Sequence, residues 1–108
     1  MNVSKAAEQL GLKTVTMPCP EREILGGYAG DLLSWVMGRV REDYAWVTIM
    51  SNINITAVAS LADVACIILA EGVSLDEEVI LTALSKNINI LSSELSTYEL
   101  CVKLSEII

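Results

Sequence analysis

At 108 residues the chain has the length of a single domain, and 53% hydrophobic against 19% charged residues excludes a disordered polypeptide. Seven basic and fourteen acidic residues give a formal charge of −7, which repels phosphate backbones and argues against a nucleic-acid partner. No histidine is present, so Ser-His-Asp and Cys-His catalysis, His-ligated metals and a phosphohistidine relay are all excluded.

Helix and strand patterns alternate along the chain. Asn2 is placed to cap a short helix with Val3, Ala6, Ala7 and Leu10 on one face and Gly11 as its stop. Lys13–Met17 is rich in β-branched residues and predicts a strand, and Pro18 to Glu23 predicts a loop. A second extended piece begins at Ile24-Leu25 and runs into Gly26-Gly27-Tyr28-Ala29-Gly30, where the glycines predict a tight turn before a helix. A phosphate loop is disfavoured there, because no Gly-Lys-Ser/Thr follows and Asp31 puts a carboxylate where a phosphate would sit.

Asp31 predicts the N-cap of a helix from Leu32 to about Arg41, with Leu32, Leu33, Val36, Met37 and Val40 as its core stripe. Trp35 falls on the flank of that helix with Gly38 and Arg39, and these three are the candidate interface for a homodimer or a partner protein. Tyr44–Met50 and Val64–Leu69 are nearly continuous apolar runs, the pattern of strands buried on both faces. Between them Ile55–Ala62 predicts a helix with Thr56, Ser60 and Asp63 as a thin polar strip. Ser74-Leu75-Asp76-Glu77 and Ser96-Thr97-Tyr98-Glu99 both match a capping box and predict two further helix starts. Val79, Ile80, Ala83 and Leu84 face inward on the first, which ends near Asn87, and Leu100, Cys101 and Leu104 on the second, with a strand over Ile88–Leu91 between them. Residues 1–108 therefore read as one α/β domain, a layered sandwich with a largely parallel sheet flanked by helices.

The order of these pieces in the second half carries a resemblance. Ile49-Met50-Ser51-Asn52 ends one buried strand, Ala70-Glu71-Gly72 ends the next, and Ile90-Leu91-Ser92-Ser93 precedes the last helix with Tyr98-Glu99. From about Ile24 to Leu104 the chain resembles the DRTGG domain and is similar to the N-terminal domain of HPr kinase/phosphorylase. Asn52-Ile53 stands where that family has Asp-Arg, and Ala70-Glu71-Gly72 stands where it has Thr-Gly-Gly. The resemblance implies a bacterial, cytoplasmic, non-catalytic regulatory or ligand-sensing module that acts through protein contacts. The alternative is a small enzyme or accessory factor handling an anionic metabolite or nucleotide.

Candidate ligand-binding residues are Gly26, Gly27, Ser51, Asn52, Asn54, Glu71, Gly72 and Ser93, expected at the C-terminal ends of the parallel strands where such sheets open crevices. With Glu71 there and no arginine beside it, a neutral or cationic small molecule is expected rather than a phosphate. Asp76, Glu77 and Glu78 lie in a first helical turn and favour its macrodipole. Cys19, Cys66 and Cys101 are odd in number and form no C-x-x-C pair, so no disulfide, zinc site or other metal centre is expected, nor any cofactor. No apolar stretch is long enough to span a bilayer, and the N-terminus lacks the apolar region of a signal peptide. The first helix resembles the opening helix of a helix-turn-helix, but a strand and a proline loop follow it instead of a basic recognition helix.

Overall fold

The computed structural model describes residues 1–108. Helix α1 (Val3–Leu10) begins where the Asn2 side chain accepts the Lys5 N–H at 2.8 Å, and ends at Gly11 with φ +63°. Strand β1 (Lys13–Thr16) and the proline loop follow, and then Gly26–Ala29 forms strand β2. This glycine-rich stretch is not the expected turn. Its first residue lies so close to the ring of Tyr44 that a Cβ at Gly26 would sit 2.6 Å from a ring carbon.

Helix α2 is only Leu33–Arg39, and strand β3 (Tyr44–Thr48), helix α3 (Asn54–Ala62) and strand β4 (Cys66–Leu69) come next. Helix α4 (Glu77–Ser85), strand β5 (Ile90–Ser92) and helix α5 (Thr97–Ser105) complete the chain. No helix is long and apolar enough to cross a membrane.

The five strands form one sheet in the order β1-β5-β4-β3-β2. Strands β2 to β5 are mutually parallel, and β1 is antiparallel at the edge beside β5. Each step from β2 to β5 moves one strand in the same direction. Right-handed crossovers therefore put α2, α3 and α4 on one face of the sheet. Side chains of β3 and β4 alternate between the two faces: Trp46, Ile67 and Leu69 join Val36, Ile55, Val58, Val79 and Ala83 in one core. Ala45, Val47, Cys66 and Ile68 join Val3, Ala6, Leu100 and Leu104 of α1 and α5 in the other. A strand with a packed core on both sides has few polar positions, which is why β3 and β4 read as nearly continuous apolar runs, Thr48 at the end of β3 being satisfied by Asp31.

Several expected details differ. Asp31 does not cap α2. Its Oδ1 accepts the Thr48 hydroxyl at 2.8 Å and the Ile49 N–H at 2.9 Å, tying the end of β2 to the end of β3. Leu32 takes the cap position without a side-chain bond, and Leu32 and Met37 are exposed, so the core stripe of α2 narrows to Leu33, Val36 and Val40. Leu84 of α4 also faces out. The Ser74–Glu77 box does not form, since α4 starts after Asp76 with no side-chain cap bond. Ser96 does cap α5, accepting the Glu99 N–H. Thr56 is buried, donating its hydroxyl to the Ile53 carbonyl, and is no part of a polar strip.

Candidate functional site

Because β2 to β5 are parallel, their C-terminal residues Ala29, Thr48, Leu69 and Ser92 lie along one edge of the sheet. The chain leaves β4 toward α4 on one face and leaves β5 toward α5 on the other. Two neighbouring parallel strands whose exits part in this way define a switch point, the place where an open α/β sheet forms a crevice. A cleft of about 840 Å³ lies there, between the loop after β4 (Gly72–Leu75) and the segment after β5 (Ser93–Leu95). Antiparallel β1 brings its own start to the same edge, pairing Lys13 with Ser92, so that Lys13, Thr14 and Val15 line the cleft. Ile80 of α4 and Lys103 of α5 complete its walls with the end of α1.

Of the eight sequence candidates, Gly72 and Ser93 line this cleft. The Gly72 N–H donates to the Ser93 carbonyl at 2.9 Å, and its φ of +70° is one that a side chain would strain. Ser93 Oγ accepts the Leu95 N–H at 3.0 Å and shapes the opposite wall. Glu71 also has a positive φ, and its carboxylate accepts the Thr97 N–H at 3.0 Å. That bond satisfies an open N–H at the start of α5, so Glu71 caps a helix instead of facing the cleft.

Ser51, Asn52 and Asn54 sit at the same edge of the sheet but beyond β3, outside the cleft, and all are exposed. Asn52 Oδ1 accepts the Asn54 N–H at 2.7 Å, a local turn that starts α3. Gly26 and Gly27 are misplaced by the sequence reading. They pair with Tyr44 and Ala45, the first residues of β3, and so lie away from the C-terminal edge. There they line a smaller apolar hollow of about 370 Å³ with Leu104 and Ile108.

The interface candidates lie on the outer surface of α2. Trp35 is 54% exposed, and the Arg39 guanidinium stacks 4.0 Å from its ring centroid. Gly38 has no atom within 4 Å of where a Cβ would stand, so nothing within the chain needs the space. The exposed apolar side chains Leu32 and Met37 belong to the same segment.

Lys13 and Lys103 were not legible as site residues. No spacing links a strand-edge lysine to one ninety residues later, and only the antiparallel pairing of β1 and the packing of α5 bring both to one cleft. The expectation of a neutral or cationic ligand rested on Glu71 with no arginine beside it, whereas Glu71 caps α5 and two lysines line the cleft.

A consecutively wound α/β sheet with an antiparallel edge strand and a cleft at its switch point defines the class of this protein. The family model described as the DRTGG domain matches residues 31–107, and the chain belongs to that family. A solved structure of similar fold is that of the CBS and DRTGG domains of the regulatory region of Clostridium perfringens pyrophosphatase, complexed with its activator diadenosine tetraphosphate. The TM-score is 0.72 at 12% identity, over 95% of this chain and 45% of that one. This chain thus spans under half the length of that structure. No curated protein matches the chain in sequence.

Proposed function

We propose that this protein is a non-catalytic regulatory module that senses a small molecule in the cleft and reports it through protein contacts. The observation that carries the reading is the cleft itself, built from the two diverging loops at the switch point. The pyrophosphatase neighbour, whose regulatory region pairs a DRTGG domain with CBS domains and is complexed with an activator, supports a sensing role. Glu71 links the cleft to the rest of the domain, because the loop it opens lines the cleft while its carboxylate caps α5. A ligand that moves that loop loads the start of α5. Without histidine the cleft offers no Ser-His or Cys-His pair, and Ser93 Oγ is engaged by a backbone N–H.

The outward contact is made by the α2 surface, with Trp35 and Arg39 as its anchor, either to a second copy or to a partner protein. In analytical ultracentrifugation, Trp35→Ala and Gly38→Glu each shift a dimer toward monomer without changing the circular dichroism spectrum. A wild type that stays monomeric at high concentration eliminates the homodimer.

A thermal-shift screen of nucleotides, acyl phosphates and neutral metabolites tests the sensing function. The ligand that raises Tm is recovered chemically unchanged after incubation with magnesium. Steady turnover that persists through purification overturns the non-catalytic reading.

A further inference from the structure

We infer that the cleft is an anion site in which Lys13 and Lys103 hold the phosphate of a phosphorylated metabolite. The inference rests on the sensing function proposed above and adds the chemical class of the ligand. The chain has only four lysines, Lys5, Lys13, Lys86 and Lys103, within a net charge of −7. Two of the four line one cleft. Neither has a carboxylate within salt-bridge distance, for the ion pairs of the molecule are made by the Met1 amino group and by Arg22. Both side chains are exposed at the rim of the cleft, and an anion bound there accepts charge-assisted hydrogen bonds from both.

The remaining lining matches the rest of such a ligand. Ser92 stands across the ladder from Lys13 and places a hydroxyl beside it. Val73, Leu75 and Ile80 supply an apolar wall for a hydrophobic or planar body. Glu94 is the one carboxylate in the cleft. It lies over Gly72, where a Cβ would clash with its Oε2, and it is placed to accept a hydroxyl or amino hydrogen from the ligand's body. Two ammonium groups against one carboxylate leave the cleft positive on an acidic molecule. A volume of about 840 Å³ suits a ligand of nucleoside-monophosphate size.

Isothermal titration calorimetry on the full chain with AMP, adenosine and inorganic phosphate as probes tests this. AMP binds at least about tenfold more tightly than adenosine or inorganic phosphate, and raising NaCl weakens it. The double variant Lys13→Gln/Lys103→Gln loses at least about tenfold in AMP affinity while its circular dichroism spectrum is unchanged. Equal affinity for adenosine and AMP, untouched by the double variant, overturns the anion assignment and leaves a sensor of neutral ligands. Equal affinity for inorganic phosphate and AMP overturns the role given to the apolar wall. Absence of binding by both phosphate-bearing probes overturns the site.

Discussion

Asn89 is a polar residue only 1% exposed, directly before β5, and it acts as a staple. Its Nδ2 donates to the Cys19 carbonyl at 2.7 Å and the Ala65 carbonyl at 3.0 Å, while its Oδ1 accepts the Cys19 N–H at 2.9 Å. Asn89→Ala leaves the Cys19 N–H and the Ala65 carbonyl without partners, while the Cys19 carbonyl keeps the Arg22 N–H, and is expected to cost about 3 kcal/mol in urea unfolding. Arg22 does similar work across two tight turns, pairing with Asp43 at 2.8 Å and Asp63 at 2.9 Å, both of which have positive φ. Burial opposes its charge, but the hydrogen bonds it donates to Asp63 and Asp43 more than compensate, and its pKa is raised. Burial also pushes the Cys66 thiol up to about 12, against a small opposing influence of Arg22. A raised folded pKa means that the folded state keeps a proton the unfolded chain releases. The associated stability is intact below about pH 9 and is lost as pH rises toward 12, at about 1.4 kcal/mol per pH unit. Comparing urea unfolding of wild type and Cys66→Ala between pH 8 and 11 checks this, with the steeper alkaline decline expected in wild type.

At the level of elements, the two serines that look alike in sequence behave differently. Ser96→Ala removes the cap of α5 and is expected to cost about 1 kcal/mol, whereas Ser74→Ala is expected to be close to neutral, because Ser74 caps nothing. Thermal unfolding of the two variants separates them. Gly38→Ala is expected to stabilise α2 by about 1 kcal/mol, since its Cβ meets open space. The reasons one element was legible and another was not are physical. Strands β3 and β4 show themselves because both faces are buried, and α1 because Asn2 and Gly11 mark its ends. Strand β2 was hidden: Gly26 serves the ring of Tyr44, and glycine in sequence reads as a turn. Asp31 reads in sequence as a local cap and Glu71 as a ligand-binding group, yet each carboxylate reaches a backbone or side-chain partner seventeen or more residues away.

For the whole molecule, the winding of the sheet decides where a ligand can sit. The step from β2 to β5 is monotonic, so the crevice forms only where α4 and α5 part to opposite faces. Sequence alone reaches as far as the edge of the sheet, and it correctly expects parallel strands with polar exits. It cannot choose between the two halves of that edge, because the partner of β5 is the antiparallel strand β1 near the other end of the chain. Nor can it assemble Lys13 and Lys103. The central claim is that the cleft at the switch point is where this domain takes its ligand, and chemical-shift mapping of the ¹⁵N-labelled chain titrated with AMP tests it most directly. The account predicts the largest shifts at Thr14, Gly72, Val73, Ser93 and Glu94, with Gly26, Gly27 and Ile108 unmoved. Shifts confined to Gly26, Gly27 and Ile108, with the residues of the cleft silent, would contradict it.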